Sequence, residues 1–128
     1  MPAPGTPGFE PADYVVTFFA VTIKTLRENR ILTQLLEADR EETLVSLTFD
    51  AGDTLRVSSA FCADRIRQLR AHLDPVPADD DIDVVAITLA RLAQSLLLTQ
   101  DAPPSLRTRP QMKAYAERVI VPMVLSRR

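Results

Sequence analysis

Leu55, Ser59, Cys62, Ile66, Leu69 and Leu73 follow one another at steps of 4, 3, 4, 3 and 4 residues. An α-helix turns once in about 3.6 residues, so this spacing gathers all six on one face, whereas a half-buried strand would demand strict alternation. The stretch therefore reads as one long amphipathic helix that needs a partner surface. The turn signal Asp50-Ala51-Gly52-Asp53 opens it, and Asp74-Pro75 closes it, because the residue before a proline is steered away from helical dihedrals.

The same period governs the rest of the chain. From Ala12 to Glu28, the residues Tyr14, Val15, Phe18, Phe19, Thr22, Ile23 and Leu26 share a face, and Asp13 suits the positive end of the helix dipole. Ile31, Leu32, Leu35 and Leu36 make a short helix that Asp39 ends. Glu41, Glu42, Leu44, Val45, Leu47 and Phe49 make another, so the pair reads as a tight helical corner. Ile82 to Leu98 carries two adjoining stripes, Ile82-Val85-Leu89-Leu92-Leu96 and Ala86-Ala90-Ala93-Leu97. A helix apolar over so much of its girth must be covered on two sides. The acidic run Asp79, Asp80, Asp81 and Asp83 lies where that helix begins, which favours its dipole. Gln111 to Leu125 forms the last helix with Met112, Tyr115, Ala116, Val119, Ile120 and Met123 inward, and Pro122 is expected to kink or end it.

No stretch alternates as a strand does, so the expected fold is all-α, an irregular bundle of about six helices. Pro2, Pro4, Pro7 and Pro11 with Gly5 and Gly8 make residues 1–11 a flexible lead-in. Residues 12–128 then form one helical domain, because a chain of 128 residues holds one ordinary core rather than two.

Composition excludes several function classes. A net charge of −2 gives no basic face for phosphate contacts, so direct nucleic-acid binding is not expected. One cysteine, Cys62, cannot close an internal disulfide, and one histidine, His72, cannot assemble a zinc site. The acidic run lacks the spaced ligands and central glycine of a calcium loop, and no cofactor or metal is expected. No nucleophile stands beside a base, so an enzyme is not expected either. No apolar run approaches the roughly 20 residues that cross a bilayer. Met1 to Glu10 lacks the basic and hydrophobic regions of a signal peptide, and the cytoplasm is the expected location. Arg65, Arg67 and Arg70 are scattered among acids and read as solvated surface, the latter two near a helix C-terminus, where His72 also fits as a cap.

Two features of the helices admit a functional reading beside a plainly structural one. The small stripe Ala86, Ala90 and Ala93 either lets its helix sit deep in its own core or permits close approach by a second subunit's helix. Phe18, Phe19, Phe49 and Phe61 either fill a core or line a cavity for an apolar ligand, oriented by Thr22, Ser58, Cys62 and Arg65 as sparse polar anchors. Cys62, facing inward with no nearby base, reads as a small buried hydrophobe.

The run Ala90-Arg91-Leu92-Ala93-Gln94-Ser95-Leu96-Leu97-Leu98-Thr99, a proline-containing loop and then Tyr115-Ala116-Glu117-Arg118-Val119-Ile120-Val121-Pro122 resembles the closing helices of the C-terminal domain in TetR-type bacterial transcriptional regulators. Phe18 to Leu36, including Leu26-Arg27-Glu28-Asn29-Arg30-Ile31-Leu32, is similar to the helices that open that domain, so the resemblance spans Pro11 to Leu125. It implies a ligand-sensing and dimerisation domain, with a small apolar ligand held among Phe18, Thr22, Phe49, Phe61, Cys62 and Arg65. It further implies a homodimer through the last two helices, by way of Val85, Ala86, Leu89, Ala90, Ala93, Leu97, Ala116, Val119, Ile120 and Met123. The dozen residues ahead of Asp13 are too few for the family's helix-turn-helix, so DNA reading would be supplied by another part. The alternative is a free-standing helical dimer, an adaptor that associates with other regulators.

Overall fold

The computed structural model describes residues 5–126, and residues 1–4 of the expected lead-in and Arg127 and Arg128 of the expected domain lie outside them. The fold is all-α, and among the described residues no strand forms. The elements are α1 (Pro11–Arg27), α2 (Arg30–Ala38), α3 (Arg40–Leu47), α4 (Gly52–Arg70), α5 (Ile82–Leu98), α6 (Arg109–Tyr115), a π-helical segment (Ala116–Ile120) and α7 (Val121–Leu125). The backbone stays right-handed helical from Arg109 to Leu125, so the last three elements form one rod.

Local chemistry sets the boundaries. Pro11 occupies the first turn of α1, where its missing N–H is no loss, and the Glu10 side chain accepts from the Ala12 amide at 3.3 Å. Asn29 and Asp39 cap α2 and α3 by accepting from the Leu32 and Glu42 amides. Thr108 and Gln111 form a reciprocal capping box at the start of α6. Pro122 neither stops the rod nor leaves a donor stranded. The widened π turn ahead of it pairs the Val121 amide with the Ala116 carbonyl, and the helix runs on to Leu125 before Ser126 ends it at φ 56°.

Packing divides the molecule into a solid end and an open one. The core joins Val15 of α1, Ala63, Ile66 and Leu69 of α4, Ile82, Val85 and Ala86 of α5, and Ala116, Ile120, Val121, Val124 and Leu125 of the rod. A smaller cluster of Ile23, Leu106 and Met112 seals the other end of α1, where Arg27 donates to the Leu106 carbonyl. α4 packs chiefly on α5, and α1 on the rod, so α1 and α4 stand apart with a space between them. α2 and α3 pack chiefly on each other and contribute no fully buried residue.

Three expectations need correction. Arg70, expected at the surface, is 2% exposed and inserted into the core. Its guanidinium grips the Asp81 carboxylate with both arms, at 2.5 and 3.1 Å, while also donating to the Val124 carbonyl at 2.8 Å and the Ala78 carbonyl at 3.0 Å. It thus ties the end of α4 to the start of α5 and to the end of α7, whose last carbonyls favour a cation. Phe49, expected inward, is 91% exposed, because α3 ends at Leu47 and the turn that follows, with the Asp50 amide bonded to Val45, swings the ring out of helical phase. Phe9, part of the expected lead-in, packs on Tyr14 and His72, with ring centroids 5.9 and 6.0 Å away.

Candidate ligand cavity

The space between α1 and α4 is a cavity of about 570 Å³, roofed by α5 and floored by Ile120 and Val124 of the rod. That volume falls within the roughly 300–1,000 Å³ typical of small-molecule sites. It exists because the bulky residues of α1 and α4 meet only at one edge. There Tyr14 stacks on Phe18 and Phe18 on Phe61, with centroids 6.2 and 6.4 Å apart, bridging the helices without filling the interior. Phe18, Val57 and Phe61 are each substantially exposed, and they form the rim through which the cavity meets solvent.

The wall is almost wholly apolar. Leu26, Leu55, Leu89, Leu92 and Leu96 are among its apolar residues, and the polar groups on lining side chains are the hydroxyls of Tyr14, Thr22, Thr54, Ser46 and Ser58, the thiol of Cys62, the amide of Gln94 and the guanidinium of Arg65. Burial pushes the Cys62 thiol above its ordinary value, so it stays protonated and weakly polar. Gln94 is committed elsewhere, donating to the Leu47 carbonyl at 2.6 Å and pinning the end of α3 beside the cavity. Arg65 lies over the Phe61 ring, with its guanidinium carbon 5.1 Å from the centroid.

Five of the six expected ligand contacts, Phe18, Thr22, Phe61, Cys62 and Arg65, line this one cavity, and Phe49 does not. Tyr14 and the leucines of α5 line it too, and their helical spacing marks them as inward, but spacing alone does not say whether the inside is filled; Gln94, on neither apolar stripe of α5, lines it as well.

The expected dimerisation residues fall differently. Val85, Ala86, Ala90, Ala116 and Ile120 are buried within the chain itself, Ala86 and Ala116 at 0% exposure. The alanine stripe brings α5 close to its own neighbours, and these side chains offer no area to a second subunit. Leu89, Ala90 and Ala93 face the cavity. Val119 is exposed, against the expectation that it points inward, while Leu97 and Met123 are half-buried.

No helix among the described residues is long and apolar enough to cross a membrane. Comparison with protein families, with curated proteins and with solved structures gives no match.

Proposed function

We propose that this chain is a ligand-sensing domain of the kind that forms the C-terminal part of TetR-like bacterial regulators, with DNA reading supplied by another segment or chain. The observation that carries the reading is the apolar cavity between α1 and α4, which occupies the heart of the helical body and is edged by stacked aromatic rings. The helix order and the closing-helix pattern of the sequence support it. A small apolar molecule that prefers one spacing of α1 and α4 shifts the domain toward that spacing by its difference in affinity for the two arrangements. Pairing with a second copy belongs to the same proposal. Val84 and Val119, the large exposed apolar residues on α5 and the rod, are where it would begin.

The test is titration with a neutral, fluorescent naphthylamine dye. Saturable, one-to-one enhancement is expected for the natural chain, and its loss is expected in Ala93→Phe, which fills the cavity from α5. Equal binding by a folded Ala93→Phe, or no saturable binding by the natural chain, would overturn the reading.

A further inference from the structure

We infer that the ligand of this cavity is an aliphatic monocarboxylic acid, its chain among the leucines and its carboxylate at Arg65; the inference rests on the cavity being a ligand site. Among the described residues Arg65 is the one ionised side chain that lines the cavity, and it is a cation. Its situation differs from that of the other arginines on α4. Arg56 is paired with Asp53 at 2.5 Å, Arg67 with Asp64 at 3.3 Å and Asp83 at 3.7 Å, and Arg70 with Asp81. Among the described residues Arg65 has no carboxylate partner, although α4 provides an aspartate for its neighbours. Phe61 beneath it holds the guanidinium at the rim without using its hydrogen-bonding edge.

A planar guanidinium with free donors matches a carboxylate through two parallel N–H···O bonds. Among the described residues no second cation lines the cavity, so a single negative charge is what the wall can balance. The hydroxyls of Ser58 and Thr54 lie about two and three turns up the same helix from Arg65, and most of the rest of the wall is hydrocarbon. A ligand with a cationic head would set like charges together, and a neutral chain would leave Arg65 unused.

The experiment displaces the bound naphthylamine dye with dodecanoate, dodecanol, dodecylammonium and dodecyl phosphate, each below its aggregation threshold. Dodecanoate is expected to compete better than dodecanol by about fivefold at low salt, as suits a charge-assisted contact at an exposed rim, with the advantage shrinking at high salt. In Arg65→Gln the advantage disappears, while dodecanol displaces the dye as it does from the natural chain. Equal competition by acid and alcohol, preference for the ammonium, or tighter binding of the dianionic phosphate would each overturn the carboxylate assignment and leave the cavity reading standing. Failure of every chain to displace the dye would remove both.

Discussion

The two halves of α4 are one continuous helix with opposite fates. From Gly52 to Phe61 no residue is buried, and Val57 and Phe61 stand largely in solvent. From Ala63 to Arg70 the inner stripe Ala63, Ile66, Leu69 and Arg70 is buried. α5 repeats the contrast beside it: Ile82, Val85, Ala86 and Ala90 are buried, whereas Leu92, Ala93 and Leu96 are half-buried against the cavity. Stability is thus concentrated at one end of a shared pair of helices, and the other end is left with hydrocarbon that protein covers only in part. The sensing role proposed above would draw on that division, with a rigid end holding the helices in place while the open end responds to what fills it.

The largest break of this contrast is expected at Arg70. Its truncation in Arg70→Ala opens a hole in the core and strips a donor from the buried Val124 carbonyl and from the Met123 and Ala78 carbonyls, for an expected loss of about 3–5 kcal/mol of unfolding free energy by urea denaturation. Asp81→Asn is milder, about 1–3 kcal/mol, since Arg70 keeps its backbone acceptors and the Asp81 side chain is partly solvated. The pair also sets a pH dependence. The hydrogen bond from Arg70 holds the Asp81 carboxyl below its ordinary value of 3.8, so the stability it contributes is full above pH 3.8 and lost as pH falls from there through the lower folded value. Urea midpoints of the natural chain and Asp81→Asn should therefore converge as pH is lowered through that window. A constant gap would show that the ion pair is not what Asp81 contributes.

Much of this division could have been seen in the residues, and one part could not. Ala63, Ile66 and Arg70 are spaced 3 and 4 residues apart, so Arg70 sits on the inner stripe of α4, and an acidic run follows within the next loop. Read by position rather than by type, it announces a buried ion pair. Helix order and the inward faces of α1, α4 and α5 follow from period alone. The outward position of Phe49 is not legible in the period, because a turn follows the end of α3 and Gln94 bonds to Leu47 from 47 residues away, a contact that no local pattern carries. The hollow between α1 and α4 is likewise beyond periodicity, which identifies the residues that point inward without fixing how well they meet.

Substitutions at two alanines of α5 sharpen the same comparison with opposite signs. Ala86 is fully enclosed, so Ala86→Leu forces extra carbons into a filled core and is expected to cost about 1–3 kcal/mol. Ala93 faces the cavity, so Ala93→Leu adds buried hydrocarbon where space exists and is expected to gain about 1 kcal/mol. The leucine in the cavity should also weaken dye binding. Destabilisation by both would mean that the open end is as tightly packed as the closed one.

The smallest effects are expected in the α2–α3 hairpin. Ile31 is 70% exposed and Leu35 is 51% exposed, despite the strongly apolar face that they share. Without a neighbour to cover them their truncation removes little buried area, and Ile31→Ala and Leu35→Ala should each change stability by no more than about 0.5 kcal/mol. Amide exchange reads the same difference directly: protection should be weak through α2 and α3 and strong through Ile66–Arg70 and Val85–Ala90. Ser46 and Leu47, at the end of the hairpin, line the cavity, so occupancy by an aliphatic acid should slow exchange at the end of α3 more than anywhere in the buried half of α4. Were protection in α2 and α3 already equal to that of the core, the hairpin would be a fixed wall, and the response to a ligand would have to come from the α1–α4 spacing alone.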